Sequence, residues 1–176
     1  MFSVIFPGQG SQSVGMGRNL YDKYDFVKDL FRRADEILGY SISKVILEGP
    51  KEKLDLTENT QPAVFLVSYS IYEAVKRETK IDLESAKYFA GHSLGEYSAL
   101  VSSNSLTFED ALHLLHERGK AMQNAVPVGK GSMLAVLGLK IDEINEILKN
   151  QKEVCEIAND NAEGQVIISG DKNSVH

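Results

Sequence analysis

The sequence predicts an α/β fold, a core built on a buried parallel sheet followed by a smaller unit with a sheet of its own. Three observations carry this. Two short apolar runs, FSVIF at residues 2–6 and YFA at residues 88–90, each end at a glycine-containing turn and read as buried strands. Stretches with apolar residues at helical spacing lie between and after them, as strands laid side by side in parallel require. From residue 132 the order becomes strand, helix, strand, strand.

The elements follow in chain order. Pro7-Gly8 stops the first strand, and a glycine-rich loop, GQGSQSVGMG, comes next. Phe26, Val27, Leu30, Phe31, Ala34, Ile37 and Leu38 recur at helix spacing, and Gly39 supplies the stop. A shorter segment over residues 42–47 leads into a charged loop. After TENTQP, the apolar positions from Ala63 to Val75 predict a long, largely buried helix. The second strand ends at Gly91, and the residues after Ser93 read as helical to about residue 102. TFED at 107–110 has the spacing of a capping box and opens another helix.

The texture changes at Val126-Pro127-Val128-Gly129. SMLAVLG (132–138) is a strand, residues 141–148 a short amphipathic helix, and residues 154–158 and 165–169 two further strands joined through NDNAEG. This order opens a ferredoxin-like split unit whose last helix and strand are missing, so residues 127–176 are expected to be an incomplete subdomain of a longer protein. Residues 1–126 form the other expected domain.

Composition narrows the functional classes. The 176 residues are 43% hydrophobic, enough for an ordinary core, and carry a net charge of -6, which argues against nonspecific nucleic-acid binding. The single cysteine, Cys155, excludes an internal disulfide and fits a reducing compartment; it lies in a strand pattern and is expected to be buried and inert. No basic segment precedes an apolar stretch at the start, and no run approaches the roughly 18–20 apolar residues of a membrane span. A cytoplasmic protein is expected.

Ser93 stands between two glycines in GHSLG, after a strand and before a helix. That context is the nucleophile elbow of an α/β-hydrolase-like core, in which a tight turn lifts a hydroxyl above the carboxyl edge of a parallel sheet. Gly91 and Gly95 are the small residues such a turn needs. The competing interpretation is a helix-capping serine between closely packed glycines. Pro7-Gly8-Gln9-Gly10 leaves the other strand, so both loops are expected at one crevice. There the backbone N–H groups of Gln9 and Leu94 would form an oxyanion hole. The loop fits phosphate binding poorly, because Ser13 interrupts the dinucleotide fingerprint and Met16 stands where a P-loop needs lysine.

Arg118 shares an apolar stripe with Ala111, Leu112, Leu114, Leu115, Met122 and Ala125 on the helix beginning near Thr107. A guanidinium cannot be discharged, so one facing inward must meet a carboxylate. With a protein carboxylate Arg118 is structural; with a substrate carboxylate it defines the substrate class. Met122 and Met133 are expected in the core.

In order along the chain, FPGQGSQ, GHSLGEYSAL, the RG..MQ of residues 118–123 and ANDNAEGQVIISG resemble the malonyl-CoA:acyl carrier protein transacylases and the related acyltransferase domains of polyketide synthases. The resemblance spans essentially all 176 residues. It implies transfer of malonyl from coenzyme A to the phosphopantetheine thiol of acyl carrier protein, through an acyl-Ser93 intermediate. Gln9 and Leu94 would hold the oxyanion and Arg118 the malonyl carboxylate. Leu94 is also the residue such acyltransferases carry when malonyl is favoured over branched extender units. The partners implied are malonyl-CoA and acyl carrier protein, with no permanently bound cofactor and no metal; nucleic acid and membrane are not expected as partners.

The resemblance also puts the activating histidine after the ferredoxin-like subdomain, beyond residue 176. His92 belongs to the elbow and is not expected to be the base; His113 and His116 read as surface or packing residues, and His176 matches no motif. The chain alone is therefore expected to be inactive or nearly so. Asn159 and Asn161, with His92, are candidates to line a cleft, and a turn role suits the asparagines equally. The alternatives are an α/β serine hydrolase or thioesterase, and a non-catalytic acyltransferase-like binding protein. A strand directly at Met1 suggests a free-standing enzyme.

Overall fold

A computed structural model describes residues 1–126 and 129–176. The chain divides into two compact units, Met1–Gln123 and Asn124–His176. Pro127 and Val128, at the expected domain boundary, lie outside the described residues.

In the first unit, β1 (Ser3–Phe6) pairs in parallel with β2 (Tyr88–Gly91), Phe6 opposite Gly91. Between them run α1 (Arg18–Lys23), α2 (Asp25–Leu38), α3 (Ile42–Glu48), α4 (Lys51–Leu54) and α5 (Thr57–Glu78). Helix α2 buries Val27, Leu30, Phe31 and Ala34, one stripe at i, i+3, i+4 and i+7. It ends as expected at Gly39, which takes a left-handed φ of 73° and returns its N–H to the Asp35 carbonyl. Ser41 caps α3, accepting from the Lys44 N–H, while the Asp35 carboxylate collects the Ser43 N–H and hydroxyl.

Helix α5 is the centre of this unit. Phe65 and Leu66 are fully buried among residues from α2, α3 and the later helices, each stabilising the fold by about 1.5–3 kcal/mol. The helix starts at Thr57, six residues before its predicted apolar stretch. Its first turns bury the polar residues Asn59, Thr60 and Gln61. Each has a partner: Thr60 Oγ1 donates to the Leu54 carbonyl at 2.6 Å, Asn59 Nδ2 to the Lys53 carbonyl at 2.8 Å, and Tyr40 donates to Asn59 Oδ1 at 2.9 Å. Satisfied in this way, polar side chains are affordable in a core.

Pro62 lies inside α5 and has no N–H for the carbonyl of Glu58 four residues earlier. His116 Nδ1 sits 3.2 Å from that oxygen. A carbonyl only accepts, so Nδ1 carries the proton and His116 replaces the missing helix bond. The expected packing role of His116 thus has a specific content.

After β2 come α6 (Gly95–Ser102) and α7 (Phe108–Ala125). Thr107 accepts the Asp110 N–H at 3.1 Å, as the predicted cap requires. The apolar stripe of α7 differs from the expected one. Phe108, Ala111, Leu112, Leu115 and Gly119 are buried, whereas Leu114 is 45% and Met122 47% exposed, and Ala125 is also exposed. The helix turns Gly119 toward α5 because there the two backbones meet, a Cβ on Gly119 lying 2.6 Å from Glu58 Cα, and the half-exposed Met122 reaches α5 through its sulfur, 3.2 Å from Gln61 Nε2.

The second unit contains β3 (Gly131–Leu137), α8 (Ile141–Leu148), β4 (Cys155–Ala162), β5 (Gln165–Asp171) and the short α9 (Lys172–Val175). Strand β5 lies between β3 and β4 and is antiparallel to both. Its core joins Ile144, Cys155, Val166, Ile168 and Val175. Cys155 is buried, as expected; Met133 is not, at 59% exposure, because it lies on the strand face opposite Val136, which packs against that core. Strand β4 continues four residues past its predicted end. Asn159 is therefore a paired-strand residue, opposite Ile167, and Asn161 sits at an irregularity of the same strand between the paired Asp160 and Ala162; neither has a left-handed backbone. The chain reverses at Glu163-Gly164.

Candidate active site

The parallel register of β1 and β2 delivers two loops to the same carboxyl edge. His92 N–H donates to the Phe6 carbonyl, extending the pairing one residue beyond β2, and the next residue is Ser93. Its φ of 53° is left-handed, a conformation costing a non-glycine residue about 1–3 kcal/mol, and its side chain is exposed. The surroundings enforce it. Leu94 is completely buried, and α6 begins immediately at Gly95. A Cβ on Gly91 would fall 1.9 Å from the Gly95 carbonyl carbon, and one on Gly95 would fall 2.7 Å from the Phe6 and Pro7 carbonyl oxygens. No side chain fits at either position, so both glycines of GHSLG are required for the strand–turn–helix crossing. The helix-capping alternative fits less well: Leu94 precedes α6, and no side chain caps it.

Gln9 is exposed in the neighbouring loop. That loop is internally fixed: the Gly10 N–H donates to Gln12 Oε1 at 2.8 Å, Ser11 to the Gly8 carbonyl at 2.9 Å, and Gln12 Nε2 to Asp55 at 3.0 Å. Gln9 Nε2 reaches Thr57 Oγ1 at 3.4 Å, a long contact with the start of α5. Among the described residues, neither the Gln9 nor the Leu94 backbone N–H is taken by another protein group. His92 packs its ring against this loop, a Cβ on Gly8 lying 2.5 Å from its Nδ1.

Arg118 comes to the same place from α7. Its Nη2 donates to Ser93 Oγ at 3.1 Å and its Nη1 to Gln61 Oε1 at 2.5 Å. Among the described residues it makes no ion pair. The protein-carboxylate alternative thus finds no support. Gln61 was not anticipated from sequence; the one available signal was a polar run, TENTQ, directly before a buried helix. Asn159 and Asn161 belong to the second unit. His113 is exposed on α7, and His176 Nε2 lies 2.9 Å from Ser132 Oγ in the second unit. Among the described residues no cluster of His, Cys, Asp and Glu could hold a metal ion, and no helix is long and apolar enough to cross a membrane.

A strained, exposed serine on a glycine-bounded elbow, beside free amides and a cation, is the equipment of an acyl-transfer site. Comparison with known proteins agrees. Residues 3–176 match the acyl transferase domain family, and the chain belongs to it. Among curated relatives, the malonyl CoA-acyl carrier protein transacylase of Bacillus subtilis is 43% identical over 171 residues, covering 96% of this chain and 53% of that protein. The Haemophilus influenzae protein of the same name is 44% identical, covering 99% and 56%. The chain spans about half the length of the curated relatives it matches. Among solved structures, the malonyl CoA-acyl carrier protein transacylase of Coxiella burnetii superposes with a TM-score of 0.90 at 39% identity, over 98% of this chain and 54% of that one. A malonyl-transacylase solved in complex with a type II polyketide acyl carrier protein matches equally, with a TM-score of 0.90, 39% identity, and 99% and 56% coverage.

Proposed function

We propose that this chain carries the nucleophile and acyl-binding half of a malonyl-CoA:acyl carrier protein transacylase acting in fatty-acid synthesis. The observation that carries the proposal is the contact of Arg118 with Ser93 Oγ at 3.1 Å, made by a guanidinium without an ion-pair partner among the described residues. A malonyl group is short enough for its carbonyl to meet Ser93 while its carboxylate meets Arg118. Ser93 Oγ bonds to the thioester carbonyl and loses its proton to a base; the carbonyl oxygen gains charge, and the N–H groups of Gln9 and Leu94 stabilise it. The C–S bond then breaks, and coenzyme A leaves as its thiol. Attack by the phosphopantetheine thiol of acyl carrier protein reverses these steps and frees Ser93.

The contact of Ser93 Oγ with Arg118 supplies a donor and no base, since a guanidinium takes no proton. The proposal therefore assigns proton removal to a histidine elsewhere in the protein, as the sequence resemblance implies. Within the same proposal, residues 1–126 are the N-terminal part of an α/β-hydrolase-like catalytic subdomain. Residues 127–176 are the start of a ferredoxin-like one, supported by the split order of β3, β5 and β4. His92, whose ring packs against the Gly8 loop beside Ser93, is proposed to border this site; Asn159 and Asn161 are proposed as cleft residues on β4 of the second unit. Coenzyme A thioester is substrate, no resident cofactor is needed, and the setting is the cytoplasm.

The test is intact-mass analysis of the full-length protein after incubation with malonyl-CoA. One malonyl group should appear on Ser93 and be absent from Ser93→Ala; uptake by that variant would refute the nucleophile. Arg118→Ala should lower malonyl loading by roughly 10- to 150-fold, the worth of a hydrogen bond to a charged group, while acetyl loading changes little. Rapid release of malonate to water without transfer to carrier protein would favour the hydrolase alternative.

A further inference from the structure

We infer that Gln61 determines acyl-group specificity by positioning Arg118: its buried, uncharged amide holds one arm of the guanidinium without neutralising it, leaving the charge to acyl thioesters that end in a free carboxylate. The inference rests on the Ser93–Arg118 reading above. Gln61 is 0% exposed, so no solvent competes for its amide. Oε1 accepts from Arg118 Nη1 at 2.5 Å, and Nε2 points to Met122 Sδ at 3.2 Å. Arginine only donates and a thioether only accepts, so these neighbours fix which end of the amide faces which. Arg118 and Met122 are one helical turn apart on α7, and Gln61 grips both.

The choice of an amide is the informative part. Arg32, Arg33 and Arg77 on this chain meet carboxylates. Arg118, half-buried, is given an amide oxygen instead, which fixes direction and leaves the full charge in place. With Nη1 anchored on Gln61, Nη2 stays at Ser93. Glutamate has nearly the same shape but would close an ion pair with Arg118, and the pull on an incoming carboxylate would fall. An uncharged acyl group would be indifferent to that exchange.

The test observes the Arg118 guanidinium by NMR in protein labelled at arginine, with malonate and acetate as probes, alongside malonyl and acetyl loading of the full-length protein. In the wild type the Nη signals should be distinct, as for a held guanidinium, and should shift with malonate and much less with acetate. In Gln61→Met they should merge as the group begins to rotate. In Gln61→Glu they should stay distinct, while malonate affinity and malonyl kcat/KM fall at least about tenfold and acetyl loading stays within about threefold. Distinct signals in Gln61→Met, or malonate binding by Gln61→Glu equal to wild type, would overturn the inference. Equal loss of malonyl and acetyl loading in a folded Gln61→Glu would also overturn it, showing a merely structural glutamine. If Gln61→Met does not fold, Gln61→Glu alone decides. A wild-type Arg118 that ignores malonate would overturn the carboxylate reading itself; merging in Gln61→Met would still show that Gln61 holds the guanidinium.

Discussion

Gly119→Ala sets two effects of known size against each other. Glycine within a helix costs about 1 kcal/mol relative to alanine, so on propensity alone the substitution would stabilise α7. The added Cβ, however, would lie 2.6 Å from Glu58 Cα, 2.7 Å from the Thr57 carbonyl oxygen and 3.0 Å from Glu58 N. All three are backbone atoms of the first turn of α5, which is held from the other side by its buried polar network. No side chain can swing aside, so one helix must move. Overpacking of this kind costs about 1–3 kcal/mol, and the upper half of that range applies when both partners are backbone. Setting the propensity gain against about 2–3 kcal/mol leaves a net loss of about 1–2 kcal/mol, or a Tm lower by about 2–8 °C for a chain of this size. Thermal unfolding followed by circular dichroism, wild type and variant side by side, measures it. Malonyl loading should fall as well, because Arg118 is the preceding residue. A Tm that rises by a few degrees would show that propensity wins and that α7 does not press on α5 at Gly119.

His116→Ala should destabilise by about 1–2 kcal/mol, since the Glu58 carbonyl left without a partner by Pro62 then loses its replacement donor. Pro62→Ala restores a backbone N–H there, so the double variant should recover about 1 kcal/mol in a denaturant-measured cycle; strict additivity would refute the pairing. The Tyr40 hydroxyl is pushed well above its ordinary pKa of 10.0, chiefly by burial and then by the charges of Glu58 and Asp35. Burial raises Tyr69 and Tyr72 likewise. The folded protein keeps these protons longer than the unfolded chain, so their stabilisation is complete below pH 10.0 and is lost as pH rises through the folded values. Tyr40→Phe should flatten the alkaline fall in urea midpoint between about pH 9 and 11, and an unchanged slope would refute the assignment.

Helix α8 occupies Ile141–Leu148, the predicted residues, because its apolar spacing is clean and its ends are marked. The elbow was legible for a similar reason, since a glycine pair bounding a serine leaves few backbone solutions. What sequence did not reveal lies where polarity and exposure part company. TENTQP reads as a loop, yet Asn59, Thr60 and Gln61 are buried in α5 and satisfied by partners distant along the chain. Asn159 and Asn161 read equally well as turn residues, yet pairing of Asn159, Asp160 and Ala162 with β5 carries the strand past them, with an irregularity at Asn161. The stripe of α7 is displaced because a backbone contact at Gly119, invisible to hydrophobic periodicity, sets the helix's rotation. Arg118 was legible as an inward cation; that it would rest on an amide depended on a residue 57 positions away.

The pairing of Ser3 with Tyr88 brings together segments separated by five helices. Contacts between remote parts of a chain carry a loop-closure penalty that local helices do not, so the two strands can meet only after much of the intervening chain has ordered. The bend that forces Ser93 into its unusual backbone conformation is thus among the last parts of the unit to be imposed. In an unfolded chain nothing holds Ser93 in that conformation, and its backbone is set only with the finished strand–turn–helix crossing.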